Sequence, residues 1–232
     1  MNILITRPLI DSEDLMGKLF SLGHKIIHVP TLKILPISSE PIDINQYDVL
    51  IFTSANAIRS LKVVSEDKSK LCFCVGSITE KIARQLGYHN TLSAGGTVNA
   101  LKNLIINSNQ INEKSKIAYF CGDNVAYDLD LELKKEGLKI SKIINYSSEK
   151  ITDLNDQSKK IILNHSPDII FVYSLRSGES FIEIARNHSL YPLMTQSKVM
   201  CISKKVADIF FMDNWKRVKV FDPGDELLQL ER

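Results

Sequence analysis

Short apolar runs recur along the chain, each followed by a break and then by hydrophobics at helical spacing. The clearest is Val49 to Phe52, opened by Asp48 and followed by Thr53-Ser54 and a helix-permissive stretch from Ala55 to Val64. An apolar run without polar alternation fits a strand covered on both faces, as in a parallel sheet. A buried helical turn reads the same way. The hydroxyl pair favours the strand, because such residues cap the helix behind it. A strand ending in hydroxyls at a helix N-terminus gathers unpaired N–H groups and the positive end of a dipole, which can hold an anion.

From the N-terminus, Asn2 to Thr6 reads as a buried strand, broken by Arg7-Pro8. Asp11 or Ser12 can cap a helix carrying Leu15, Leu19 and Leu22, and Gly23 sits where a closing glycine belongs. Lys25 to Val29 is a second strand, so the opening is a β-α-β unit with a right-handed crossover. Pro30, Pro36 and Pro41 mark an extended segment that reads as a connector rather than a core element. After the Asp48 unit, Leu71 to Val75 is a strand, and Gly76-Ser77 opens a helix from Ile78 to Leu86, closed by Gly87. A short strand is expected near Asn90 to Leu92, and Gly95-Gly96-Thr97 precedes a helix through Ile106.

At Lys116 the pattern restarts. Ile117 to Cys121 is a strand, Gly122-Asp123-Asn124 a turn, and Leu129 and Leu133 mark a helix closed by Gly137. Lys139 to Tyr146 is the next strand. A polar stretch and a helix to about His165 follow. Asp168 to Tyr173 then repeats the Asp48 stretch, and Lys198 to Ile202 repeats Leu71 to Val75. Val218 to Phe221 is the last strand, and Pro223-Gly224-Asp225 leads a terminal helix. A period of about 115 residues, with about ten short strands alternating with helices, points to two similar α/β units and not a solenoid. Ligands of such sheets bind beyond the carboxyl ends of the strands, and two units side by side leave a cleft.

Composition narrows the function classes. With 29 basic and 27 acidic residues the formal net charge is +2, which argues against a broad nucleic-acid surface. The start, M-N-I-L-I-T-R-P, has no basic region leading into a long apolar one, and no apolar run approaches membrane-spanning length. A soluble cytoplasmic protein is expected. Cys72, Cys74, Cys121 and Cys201 all lie in strand-like runs and read as buried thiols, and the five histidines form no metal-binding pattern. No metal site is expected.

The candidate chemistry is sparse. There is no G-x-G-x-x-G, no P-loop, and no G-x-S-x-G around Ser54, Ser77 or Ser174. Those serines read as helix caps, a role compatible with holding a ligand carboxylate. Asp48 and Asp168 precede strands, at the wrong end for a cleft. Tyr146 and Tyr173 end strands, where a phenol can donate a proton to a leaving group. Arg7, Arg176, Lys204 and Lys205 also follow strands, and together they suit an anionic ligand. A response-regulator reading fails, because Thr6-Arg7 and Thr53-Ser54 stand where that fold needs aspartates.

Several pieces in order resemble the uroporphyrinogen-III synthase family. They are Ile3 to Pro8 (I-L-I-T-R-P), Asp48 to Ala57 (D-V-L-I-F-T-S-A-N-A), Val75 to Thr79 (V-G-S-I-T) and Phe120 to Asn124 (F-C-G-D-N). Asn145-Tyr146, Tyr173 to Ser177 (Y-S-L-R-S) and Pro223 complete the set. The resemblance implies two flavodoxin-like parallel-sheet domains joined by two extended connectors with a cleft between them. Residues 1–35 with 150–232 would form one domain and 36–149 the other, with connectors near Lys33 to Ser38 and Asn145 to Lys150.

It also implies a reaction. The family closes linear hydroxymethylbilane to uroporphyrinogen III with loss of water and inversion of ring D through a spiro intermediate, using no metal or organic cofactor. The polyanionic substrate is supplied by hydroxymethylbilane synthase, and a monomer is expected. Carried over by position, Tyr146 matches a tyrosine that assists hydroxyl loss. Thr79 and Ser174 match cleft hydroxyls, and Thr53 and Ser54 the hydroxyl pair at a helix start. Arg7, Ser77, Gly122, Asp123, Tyr173, Arg176, Ser177, Lys204 and Lys205 complete the expected substrate contacts. One departure stands out: many members have I-G-P-T-T-A where this chain has I-S-K-K-V-A, Ile202 to Ala207. The alternative reading is a non-catalytic two-domain binding protein for a tetrapyrrole or other small anion.

Overall fold

The computed structural model describes residues 1–37, 40–64 and 67–230. Among them are eleven strands and nine α-helices, arranged in two sheets with helices on both faces. The strands pair in parallel except Leu32–Pro36, whose flanking bonds, Ile37 N–H to Asn145 O and Ile151 N–H to Thr31 O, run antiparallel to Lys139–Lys150. The chain divides into two compact units, Met1–Lys33 with Glu149–Arg232, and Ile34–Ser148.

Strand β1 (Asn2–Ile5) leads through α1 (Leu9–Ser21) to β2 (Lys25–His28), the expected β-α-β opening. The α1 helix starts earlier than its expected caps. Pro8 occupies the cap position without a side-chain bond, and Ser12 is buried, donating back to the Pro8 carbonyl at 2.7 Å. Gly23 (φ +82°) ends the helix, with its N–H on Phe20 O and that of His24 on Leu19 O, a Schellman pair.

Next, β3 (Leu32–Pro36) corrects the reading of the proline-rich segment as a connector only. It is a strand hydrogen-bonded at the edge of the second sheet. An edge tolerates Pro36, which has no N–H to give a ladder. Ser38, at the end of the expected connector, lies outside the described residues. Then come β4 (Val49–Phe52), α2 (Ala55–Arg59), β5 (Leu71–Cys74), α3 (Ser77–Gln85), β6 (Thr91–Ser93) and α4 (Val98–Ile106). Every residue of β4 and β5 is buried, as a central parallel strand requires. Helix α2 is five residues, shorter than expected, because the β-branched Val63 forms a parallel bridge with Ile42 instead of continuing the helix.

The second half runs β7 (Lys116–Gly122), α5 (Leu129–Lys135), β8 (Lys139–Lys150), α6 (Asp156–Asn164), β9 (Ile169–Val172), α7 (Leu175–Asn187), α8 (Tyr191–Met194), β10 (Lys198–Cys201), α9 (Lys204–Met212) and β11 (Val218–Val220). Instead of stopping at Tyr146, β8 continues through the second expected connector to Lys150. A 3-10 segment, Glu226–Leu230, follows β11 in place of the expected terminal helix.

The sheet orders are β2-β1-β9-β10-β11 in the first unit and β3-β8-β7-β4-β5-β6 in the second. Leaving out β3, the two are the same layout: β1 and β2 match β7 and β8, and β9, β10 and β11 match β4, β5 and β6. The first unit thus has the flavodoxin-like order 2-1-3-4-5. The second has the same order with its strands visited in a different sequence.

The repeated aspartates explain part of this likeness. Asp168 accepts from Asn2 N at 2.7 Å and its own N–H reaches Asn2 O, pairing the amino ends of β9 and β1. Asp48 does the same to Lys116, at 2.8 Å, at the amino ends of β4 and β7. Both are strand-edge clamps.

Side chains alternate off each sheet. Leu4, Ile170, Val172 and Val199 pack under α6 to α9, while Ile3, Ile5, Phe171 and Met200 pack against Leu19 and Phe221. In the second unit Ile51, Ile117 and Tyr119 meet α4 and α5, and Leu50, Phe52 and Phe120 meet α2 and α3. All four cysteines are free and buried, and burial pushes the thiols of Cys74 and Cys201 up to about 12. They behave as small hydrophobes.

Candidate functional site

In a doubly wound sheet the ligand crevice opens where neighbouring strands send their crossovers to opposite sides. In the first unit that point lies between β1 and β9, and in the second between β7 and β4.

At the first switch point Thr6 and Arg7 follow β1, and Tyr173 and Ser174 follow β9. The Arg7 guanidinium lies over the Tyr173 ring, 4.5 Å from its centre, a cation–π contact. The imidazole of His28 meets the Arg7 carbonyl at 2.8 Å, which holds the turn after β1. The Tyr173 hydroxyl is buried without a hydrogen bond; the Glu226 carboxylate stands beside it outside bonding geometry. Burial first, and then Glu226, raise the phenol well above its ordinary pKa, so Tyr173 stays protonated at neutral pH.

Ser174 caps α7, accepting from Ser177 N at 3.1 Å. Ser177 itself lies beneath the rim, within a chain of buried hydroxyls. Thr31 Oγ1 is 2.6 Å from Ser177 Oγ, Ser177 donates to Thr6 Oγ1 at 3.0 Å, and Thr6 donates to Phe171 O at 2.8 Å. Each hydroxyl finds its partner inside the protein, so this chain fastens α7 to β1 and β9. Arg176 is half-buried on the first turn of α7. Lys204 and Lys205 are exposed on the first turn of α9, behind the Ser203 cap.

At the second switch point Thr53 and Ser54 follow β4. Thr53 Oγ1 lies 3.3 Å from the Tyr119 hydroxyl, and Ser54 caps α2 by accepting from Asn56 N at 3.1 Å. A helix of five residues carries a weak dipole, so anion affinity here would rest on hydroxyls and N–H groups. Ser77 is exposed at the start of α3, while Thr79, two residues on in the same turn, is buried.

Across the switch point, β7 ends in Gly122 and Asp123. The Asp123 N–H donates to Tyr146 O at 3.0 Å, and its carboxylate accepts from Ser148 N at 3.2 Å. Both bonds hold β8 on either side of Ser147. Tyr146 is half-buried with its ring over Gly122. The two residues pair across the ladder just after a bulge in β8. A cavity of about 380 Å³ in this unit is lined by Lys116, Lys134 and Lys139 among others. It opens at the amino ends of β7 and β8, away from the rim described above.

The sequence matches the family model for uroporphyrinogen-III synthase HemD over residues 13–221. The chain belongs to the uroporphyrinogen-III synthase family. Two solved structures support the fold. The uroporphyrinogen-III synthetase from Helicobacter pylori is 14% identical, with 99% of each chain covered and a TM-score of 0.65. A mutant uroporphyrinogen III synthase from the extreme thermophile Thermus thermophilus is 14% identical, covering 99% of this chain and 96% of that one, with a TM-score of 0.53. No curated protein matches the sequence.

Membership of the uroporphyrinogen-III synthase family places the chain in tetrapyrrole biosynthesis. Several residues that shape these rims were not among the expected contacts. Thr6, Thr31 and Asn145 are polar but buried, and Glu226 arrives from a distant segment. A polar residue inside an apolar run, such as Asn145 after Ile143-Ile144, was the available signal.

Proposed function

We propose that this chain is a uroporphyrinogen-III synthase, a hydro-lyase that closes hydroxymethylbilane to uroporphyrinogen III with inversion of ring D. The observation that carries the proposal is the family match across residues 13–221. The rims supply what a flexible polycarboxylate needs: cap hydroxyls at Ser54 and Ser174, cations at Arg7 and Arg176, and helix-start N–H groups.

In the reaction the hydroxymethyl C–O bond breaks and the oxygen leaves as water after taking a proton. The resulting azafulvene carbon is attacked by the substituted carbon of ring D, forming the spiro intermediate. Tyr146 is the proposed donor of the proton to the leaving oxygen. Holding the two reacting carbons together replaces a large entropy cost, so substrate folding supplies much of the rate. The substrate comes from hydroxymethylbilane synthase, and the enzyme acts as a monomer in the cytoplasm. No helix among the described residues is long and apolar enough to cross a membrane.

Product isomer analysis tests the proposal. With hydroxymethylbilane, the protein is expected to shift the product from isomer I, formed by unassisted closure, to isomer III. A product ratio equal to the enzyme-free one would sink the assignment. Tight tetrapyrrole binding with that unchanged ratio would favour the binding-protein alternative, which the Ser203 to Val206 departure keeps in view.

Lys205 is exposed at the start of α9, where many family members carry a threonine. Lys205→Ala is expected to raise KM about three- to tenfold, the scale of one exposed charge contact, with kcat little changed. An unchanged KM would remove Lys205 from the substrate contacts.

A further inference from the structure

We propose that Asn145 is a positioning residue for Tyr146, acting through the β8 bulge, and that Gly122 is the floor this arrangement needs. The inference rests on the reading of Tyr146 as the proton donor.

The ladder between β7 and β8 runs in step from Lys116 opposite Lys139 to Cys121 opposite Ile144. The next pair is Gly122 opposite Tyr146, so β8 carries one extra residue, Asn145. Side chains alternate along a strand, and one inserted residue changes the face of everything after it. Without the bulge, Asn145 would oppose Gly122 and Tyr146 would point to the other face of the sheet. The bulge therefore brings Tyr146 to the face that holds α2, where it packs against the cluster that includes Phe52, Ala57 and Phe120.

Asn145 secures the bulge. It is 3% exposed, and its Nδ2 donates to the Ala57 carbonyl at 2.6 Å. That bond ties β8 to α2, the helix capped by Ser54. The Asn145 carbonyl accepts from Ile37 N at 3.0 Å, so both sides of the residue are held. Its Oδ1, in contrast, is buried with no hydrogen bond. A half-satisfied buried amide is a poor choice for stability alone, since leaving a polar atom unpaired is costly. Placing the bulge explains why such a residue stands there.

Gly122 gives an independent observation. A Cβ at this position would lie 2.7 Å from Tyr146 Cζ, 2.8 Å from Cε2 and 3.0 Å from the hydroxyl oxygen. The Gly122 backbone is not left-handed, so its conformation does not demand glycine. The tyrosine ring does.

The test uses the full chain with Asn145→Ala, Gly122→Ala and Tyr146→Phe, and each of the first two combined with the third. kcat and KM are measured with hydroxymethylbilane. Fluorine NMR of protein labelled with 3-fluorotyrosine reports the Tyr146 ring, its resonance assigned by loss in Tyr146→Phe. Asn145→Ala and Gly122→Ala are each expected to lower kcat about tenfold or more with KM within about twofold, and to move the Tyr146 resonance. In the Tyr146→Phe background each should change kcat by less than about twofold, because all three act through one group. An unmoved resonance in folded variants, or losses that multiply with Tyr146→Phe, would overturn the inference. If Asn145→Ala does not fold, Gly122→Ala carries the same two readouts. Wild-type kcat in Tyr146→Phe would instead reject the proton-donor reading, while a displaced resonance would still uphold the positioning role.

Discussion

Tyr146→Phe is expected to lower kcat by about two to four orders of magnitude, the usual scale for removing a general acid. The fold should be unchanged. Tyr146 packs by its ring over Gly122 and against the apolar cluster around Phe52 and Phe120, and phenylalanine keeps that ring. Only the hydroxyl is lost, so KM should change little, because the ring contacts and the rim hydroxyls remain. Initial rates with fresh hydroxymethylbilane, set beside thermal melts of both proteins, separate the two effects. A wild-type rate in a folded variant would remove Tyr146 as the acid. Tyr173 is the less suitable donor: its hydroxyl is buried and its pKa is raised, with Glu226 beside it and Arg7 stacked on the ring.

Trp215→Ala should cost about 3–5 kcal/mol of stability, the range for truncating a large buried aromatic. Trp215 is 2% exposed and is the chain's single tryptophan. Its ring meets Phe210 edge-on at 5.3 Å, Tyr191 edge-on at 5.7 Å and Phe181 tilted at 6.0 Å. Its Nε1 donates to Asp213 at 3.0 Å, and Asp213 also pairs with Arg186. One side chain therefore joins α7, α8 and α9; Ser174 caps the first of these, and Lys204 starts the last. Domains of this size are stable by only about 5–15 kcal/mol, so the loss is a large fraction of the total. Urea unfolding followed by far-ultraviolet circular dichroism measures it. A shift below about 1 kcal/mol would show that the cluster repacks around the space, contrary to this account.

Much of the fold was legible because it depends on local chemistry. The apolar runs of β4, β5 and β9, each followed by a small hydroxyl or glycine-serine break, read as strands covered on both faces, and they are buried throughout. Gly23 and Gly137 closed their helices because the left-handed turn there disfavours a Cβ. Where the reading failed, a tertiary contact outweighed local preference. The α2 helix stopped short so that Val63 could bridge to Ile42, and Leu32–Pro36 became an edge strand because β8 offered it partners. Neither partner lies near in sequence.

The rims divide in the same way. The cap roles of Ser54 and Ser174 follow from their place between a strand and a helix. The burial of Ser177 under a chain of hydroxyls does not, because its partners Thr6 and Thr31 lie far away along the chain.

By itself, then, the sequence determined the α/β class, the duplicated strand-helix units and the residues that follow the central strands. Hydrophobic period and turn chemistry act over a few residues and leave their mark directly in the order of amino acids. The tertiary structure decided the face on which Tyr146 stands. That depends on one extra residue in β8 measured against β7, and on an amide bond from Asn145 to Ala57. Register is a relation between two strands, and no single stretch of sequence contains it.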